Sequence, residues 1–372
     1  MKILLLEPFL TGSHKDWAEE LQKYSQHDIE IYGMSGHYWK WRMHGGAVTL
    51  ARRFNESTLQ PDLILATDML DLATFLSLTR KRTAHLPSIL YFHENQLTYP
   101  WSPRDKDTQL NRDNHYAFTN FTSALTADRI LFNSHYHQQS FFRELPRFLY
   151  SFPDHKEINS IEGLKSKSQV LALGVDLQKL RDLAPKEKTI YNRAVILWNH
   201  RWEYDKNPDE FFQALFTLKD RGIDFKLVVL GKNYKKQPPI FEEARERLAD
   251  HILHFGYAES LEEYAHWLHH SDILPVTSQH DFFGVSLIQA MACDVIPLLP
   301  KRLAYPEHLP EALHRVYFYE DQQDFVKRLQ RLIFNTKVIR KQEVNQYAMV
   351  YDWKAKIQEY DALFETILNR TL

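Results

Sequence analysis

The feature that most constrains this chain is the alternation of short runs of β-branched and Leu residues with longer amphipathic segments. Lys2–Leu6, Ile29–Tyr32, Leu63–Ala66, Ile89–Phe92, Arg129–Phe132 and Val170–Leu173 have the length and composition of buried strands. A charged break at Pro185-Lys186-Glu187-Lys188 precedes a second series: Val195–Trp198, Phe225–Leu230, Ile252–Phe255, Ile273–Val276, Val295–Leu299 and Val316–Tyr319. Strands joined by helical crossovers pair in parallel, so the rhythm predicts an α/β chain of two doubly wound, Rossmann-like parallel-sheet domains. At 372 residues the chain exceeds the roughly 250–300 residues that one core serves. The expected division is 1–183, 184–345 and a C-terminal helix, 346–372, that packs back across both domains through Tyr351, Trp353, Ile357, Tyr360, Leu363 and Ile367. Doubly wound sheets bind ligands at the carboxyl ends of their strands, which makes the cleft between the domains the expected site.

Composition narrows the function classes. A single cysteine, Cys293, excludes an intrachain disulfide and any multi-cysteine zinc or iron–sulfur site, and it fits a reducing, cytoplasmic setting. No apolar run approaches membrane-spanning length, and Met1–Glu7 reads as a first strand rather than a signal peptide. The formal charge is −2, and residues 1–180 hold 20 Lys plus Arg against 20 Asp plus Glu. Any RNA footprint is therefore local. Nothing in the sequence calls for an obligatory protein partner.

The sharpest chemical signal is Trp198-Asn199-His200-Arg201-Trp202-Glu203-Tyr204-Asp205-Lys206-Asn207-Pro208, where a strand ends, a loop carries two cations and a helix opens at Pro208. Arg201 and Lys206 at a helix N-terminus make a diphosphate clamp; solvated loop charges are the plainer reading. A second strand-to-helix junction, His280-Asp281-Phe282-Phe283-Gly284-Val285-Ser286-Leu287-Ile288-Gln289, supports the clamp. There Gly284 permits close backbone approach, Val285 and Ser286 present free N–H groups, and Asp281 and Gln289 supply oxygen acceptors.

At these two junctions the sequence resembles the retaining, two-domain GT-B glycosyltransferases of family 4. The resemblance equates Arg201 and Lys206 with that family's diphosphate clamp. It also puts Asp281 and Gln289 where the family carries two glutamates, one on the donor sugar and one on the nucleotide ribose. Three further blocks are similar to the tRNA-queuosine α-mannosyltransferase branch: Glu7-Pro8-Phe9-Leu10-Thr11-Gly12-Ser13-His14-Lys15, Trp39-Lys40-Trp41-Arg42-Met43-His44-Gly45-Gly46-Ala47 and Tyr91-Phe92-His93-Glu94-Asn95-Gln96-Leu97-Thr98-Tyr99-Pro100. That resemblance implies mannosyl transfer from GDP-mannose to queuosine in the anticodon of tRNA-Asp, with retention. It requires no metal or other cofactor.

In the first domain, Gly12 and Ser13 are expected to bring N–H groups to the diphosphate. His93 is expected near the reacting centre, and His14, Glu94 and Asn95 beside the acceptor. Trp39, Lys40, Trp41 and Arg42 interleave rings and cations as an unpaired anticodon base requires, while tryptophans packed in the core are the plainer reading. Asp105-Lys106-Asp107 is set aside as a solvated charge run rather than a metal-binding pair. Two rival readings stand: the same enzyme class with a small-molecule or glycan acceptor, and a catalytically silent sugar-nucleotide or RNA-binding protein. The replacement of both glutamates motivates the second.

Overall fold

Two units divide the chain: Met1–Gly174 together with Trp353–Leu372, and Val175–Asp352. The structure, a computed structural model, describes residues 1–101, 107, 114–187, 190–231 and 238–371, so Asp105, Lys106 and Lys188 lie outside the described residues.

In the first unit six strands, β1 (Lys2–Leu10), β2 (Asp28–Ser35), β3 (Leu63–Thr67), β4 (Ser88–Phe92), β5 (Arg129–Phe132) and β6 (Ser168–Val170), form one sheet ordered β2-β1-β3-β4-β5-β6. Every pairing is parallel. β3 and β4 are buried along their whole length, as strands covered by helices on both faces must be. The order reverses between β1 and β3, which puts the switch point of this sheet beside Glu7 and Asp68.

The second sheet comprises β7 (Val195–Trp198), β8 (Lys226–Leu230), β9 (Ile252–Gly256), β10 (Ile273–Pro275), β11 (Ile296–Pro300) and β12 (Phe318–Tyr319), ordered β12-β11-β10-β7-β8-β9. Its switch point lies between β7 and β10, the two strands that lead into the junctions singled out above. The helix Pro208–Asp220 shows why the chain turns there. Asn207 takes a left-handed conformation at φ 52°, Pro208 occupies the first helical position, and Asp209 and Glu210 complement the helix dipole. Phe211, Phe212, Leu215 and Leu218 are buried against the sheet.

Several expectations shift. β1 continues to Leu10 through an irregularity between Glu7 and Leu10, so a helix, Gly12–Tyr24, starts directly where a turn was expected. The sixth strand comes earlier, at Ser168–Val170, in register with Ile130, Leu131 and Phe132 of β5. Val316 and Tyr317 end a helix that opens after Pro310, leaving only Phe318 and Tyr319 extended. The second unit begins at Val175 rather than 184, since Leu177 N–H bonds to Asp352 Oδ2 at 3.0 Å and Arg181 reaches the Ala292 carbonyl at 2.8 Å.

The last helix, Trp353–Thr371, is grouped with the first unit. Trp353 donates to Glu20 at 2.6 Å, and Tyr360 accepts from Trp17 Nε1 at 3.2 Å while donating to the Ala172 carbonyl at 3.0 Å. Gly174 makes room for this helix, because a Cβ there would collide with the Trp353 ring. No helix among the described residues is long and apolar enough to cross a membrane.

Candidate active site

In the second unit the expected residues converge at the carboxyl ends of β7 and β10, but the two cations differ in kind. Arg201 has a side chain that is 52% exposed and is paired with Glu203 at 3.3 Å. Lys206 is buried, and its Nζ donates to the His280 carbonyl at 2.9 Å and to Asp281 Oδ2 at 3.3 Å. Burial alone would push the Asp281 carboxyl up, but Lys206, followed by His200 and His280, holds it below the usual carboxylate range. Tyr305 donates a further hydrogen bond to Asp281 Oδ2 at 3.3 Å. Two imidazoles flank the pair. His200 and His280 are each depressed to about 4, first by burial and then by the Lys206 charge, so both are neutral at physiological pH.

Gly284 stands at φ 97°, a conformation that a β-carbon strains, and it opens the helix Val285–Ala292. The hydroxyl of Ser286, in the first turn, lies 2.8 Å from His200 Nδ1, and Asn199 Nδ2 donates to the Ser286 carbonyl at 2.8 Å. Tyr264 donates to Gln289 Oε1 at 2.9 Å and accepts from Asn199 Nδ2 at 3.2 Å. Gln289 is thus held by its carbonyl oxygen. Asn199 Oδ1 and His200 Nε2 are buried without a hydrogen-bond partner, the state of groups that await a ligand or water. Asn199, Tyr264 and Tyr305 were not anticipated from sequence. Asn199 lies in the motif quoted above, and its place one residue past β7 is the signal that points to it.

In the first unit, Glu7, Asp68 and His93 gather at the carboxyl ends of β1, β3 and β4, with His14 on the first helix. Glu7 is fully buried, and its two oxygens take the Phe9 N–H at 2.9 Å and His14 Nδ1 at 3.0 Å. Burial opposes a charge on His14, but Glu7, Asp68 and Glu94 together raise its pKa to about 9. The His93 ring lies 4.5 Å from the His14 ring and is driven well below its ordinary value by burial and then by that imidazolium. Asp68 Oδ1 accepts the His93 N–H at 2.8 Å, whereas Asp68 Oδ2 and His93 Nε2 are buried and unpartnered. Burial first, and Glu94 second, push the Asp68 carboxyl well up. Asp68 is absent from the sequence reading, although a lone carboxylate one residue past a buried strand marks it.

The remaining expectations divide. Glu94 accepts from Gln96 Nε2 at 2.9 Å beside this cluster. Asn95 is fully buried and caps its own turn, with Oδ1 3.1 Å from the N–H groups of Leu97 and Thr98. Gly12 and Ser13 are exposed in the first turn of their helix. Trp39 packs with Met43, Met69 and Tyr116 in a small apolar cluster, so for this ring the plainer reading holds. Lys40 is bound to Asp107 at 2.5 Å, which makes Asp107 a buttressed partner rather than a member of a solvated run. Arg42 is turned back onto the Ser35 carbonyl at 3.1 Å. Trp41 alone of the four presents its ring to solvent.

Glu7, His14 and His93 are the group among the described residues with metal-type donor atoms within 4.8 Å of one another. With its pKa raised to about 9, His14 carries protons on both ring nitrogens near neutral pH, and its contact with Glu7 is an imidazolium–carboxylate pair.

Residues 2–175 match the family model for the N-terminal domain of tRNA-queuosine alpha-mannosyltransferase, and residues 181–349 match that of glycosyl transferases group 1. A Drosophila melanogaster tRNA-queuosine alpha-mannosyltransferase is 34% identical over 347 residues, covering 91% of this chain and 89% of that one. The chain belongs to the tRNA-queuosine α-mannosyltransferase family. It is thereby a glycosyltransferase, and its family-specific half is the unit holding Glu7, His14, Asp68 and His93. A Xanthomonas oryzae GDP-mannose:cellobiosyl-diphosphopolyprenol alpha-mannosyltransferase is 24% identical over 200 residues, about half of each chain. Among solved structures, sucrose-phosphate synthase from Thermosynechococcus elongatus covers 100% of both chains with a TM-score of 0.75 at 12% identity. That likeness shows the fold of this mannosyltransferase family member: two doubly wound parallel-sheet units of the GT-B type.

Proposed function

We propose that the protein transfers mannose from GDP-mannose to the cyclopentenediol of queuosine in a tRNA anticodon, with retention at the anomeric carbon and without a metal ion. The observation that carries the reading is the convergence of Glu7, His14, His93 and Glu94, drawn from two separate family-specific blocks, on one polar cluster at the switch point of the first sheet. Carboxylates and imidazoles there suit a hydroxyl-rich acceptor. In the second unit, exposed Arg201 and the N–H groups of Val285 and Ser286 suit a departing diphosphate, whose charge is the main electrostatic demand of the reaction. Lys206 acts beside them, its charge shared with Asp281.

The acceptor oxygen forms a bond to the anomeric carbon as the bond from that carbon to the β-phosphate oxygen breaks. The hydroxyl proton passes to the departing phosphate, and GDP leaves. Asp281 and the Gln289 amide face the donor sugar and ribose in place of two glutamates, and Gly12 and Ser13 offer N–H groups to an anion.

The test is incubation with GDP-mannose and total tRNA from cells able or unable to make queuosine, followed by nucleoside mass spectrometry. A hexose on queuosine in the first sample alone is the expected result. No product with either tRNA, while GDP-mannose still binds by calorimetry, overturns the acceptor assignment. A glycan acceptor is separated further by salt, since tRNA affinity falls steeply with ionic strength.

A further inference from the structure

The outer face of the helix Trp39–Glu56 carries an arrangement that sugar transfer itself does not use. Trp41 is 63% exposed. Its indole nevertheless has a seat: it lies on Gly45, one turn along, so closely that a Cβ at position 45 would stand 2.8 Å from Cε2 and 2.9 Å from Cζ2 of the ring. Glycine is among the residues a helix interior accepts least, and here its missing side chain lets a flat ring lie down on the helix with one face to solvent.

From Trp41 the surface runs on. His44 lies three residues along the same helix face, and its Nδ1 is 3.0 Å from Nε2 of His115 on the helix Asn114–Thr126. Phe118, three residues beyond His115, is exposed. A cavity of about 640 Å³ opens here, lined by His44, His115, Phe118 and Phe152 with Asp107 and Asn114 at its polar edge. That volume falls within the roughly 300–1,000 Å³ of small-ligand pockets. Two ring nitrogens 3.0 Å apart share one proton between them, so the imidazole pair offers an N–H and a lone pair. Flat ring faces, with donors and acceptors at the rim, are the chemistry that recognises an unpaired nucleobase.

We propose that this surface, the Gly45-seated Trp41 indole running into the cavity between His44, His115 and Phe118, takes two neighbouring unpaired bases of the acceptor RNA. One base stacks on the indole and the other enters the cavity. The assignment rests on tRNA being the acceptor, but its readout is RNA binding rather than sugar transfer.

Fluorescence anisotropy of a labelled anticodon stem-loop, at fixed salt, tests it on the full chain with Trp41→Ala, Gly45→Ala and Phe118→Ala. Loss of either ring is expected to weaken RNA binding about 10-fold, the scale of one base–aromatic stack. Gly45→Ala is expected to weaken it several-fold while the melting temperature holds or rises, because alanine is the better helix former. With saturating tRNA, kcat is unchanged in all three and only KM rises. Unchanged RNA affinity in the variants overturns the proposal, as does an absence of RNA binding by the unmodified chain. So does a self-association that the substitutions abolish while RNA affinity stays constant. Intact RNA trends without any sugar transfer would leave this surface standing and remove the transferase assignment instead.

Discussion

Lys206 Nζ and Asp281 Oδ2 stand 3.3 Å apart inside the second unit, with Asp205 Oδ2 also 3.4 Å from Nζ, and removing Lys206 leaves two buried carboxylates without their counter-charge. The Arg201 side chain is 52% exposed and pairs with Glu203 at 3.3 Å. Lys206→Ala is therefore expected to lower both turnover and stability, the latter by about 3–5 kcal/mol, as when one partner of a buried pair is deleted. Arg201→Ala is expected to lower turnover about 100-fold with an unchanged melting temperature. Turnover and thermal melts of the two variants check this, and a fully active Arg201→Ala would remove that residue from the clamp.

The His14–Glu7 pair sets a pH dependence. His14 is raised to about 9 in the folded chain against an unfolded value near 6.5. Its contribution to stability is thus fully present below about pH 6.5 and is lost as pH rises through 9. In Glu7→Gln the largest attraction is gone while burial remains, so the loss should be smaller and complete at a lower pH. Melting temperatures recorded from pH 6 to 10 read this directly; superimposable curves for the two proteins would contradict it.

His200 and His280 give the opposite sign. Both are depressed to about 4, so the folded form excludes their protons, and stability falls as pH drops from about 6.5 toward 4. Ser286→Ala, which removes the hydroxyl 2.8 Å from His200 Nδ1, is expected to weaken donor binding more than it alters this acid limb. Calorimetry with GDP at two pH values separates the effects.

Tyr264 holds the Gln289 carbonyl oxygen at 2.9 Å. Tyr264→Phe removes the donor to Gln289 Oε1, and at about 1 kcal/mol for one net hydrogen bond KM for the sugar nucleotide should rise about 5-fold with kcat nearly constant. A fall in kcat alone would point to a role in the transfer step.

Gly284 opens the helix Val285–Ala292 with a positive φ beside the Tyr305 ring. Gly284→Ala must hold a side chain at φ 97° with its Cβ 3.2 Å from the Tyr305 ring, and the expected cost is about 1–3 kcal/mol, seen as a lower melting temperature.

The sequence carried the architecture because parallel strands buried on both faces and crossover helices write their periods plainly, as in Leu63–Thr67 and Pro208–Asp220. It carried Arg201, Lys206, Asp281 and Gly284 because they share two short motifs. What it did not carry depends on three-dimensional neighbours. Exposed Arg201 and buried Lys206 read alike in the sequence; besides adjacent Asp205, the partners that hold Lys206 are the His280 carbonyl and Asp281, 74 and 75 residues on. Asp68 is a lone carboxylate until β1 and β4 flank it. Trp39 and Trp41 look alike in the chain, yet their positions on one helix send the first into an apolar cluster and leave the second on Gly45. The final helix was legible as a helix, but its grouping with the first unit follows from Tyr91, Trp17 and Gly174, all distant in sequence.

That last grouping makes the order of synthesis matter. The first unit is translated first, yet it lacks the helix beginning at Trp353 until the ribosome has produced everything from Val175 to Asp352. At about 5–20 residues per second that interval is on the order of 10–35 s. During it Trp17, Tyr91 and Gly174 stand without their cover, and the later-made unit can close before the earlier one. A chain cut short by even its last twenty residues would therefore damage the half that was made at the start.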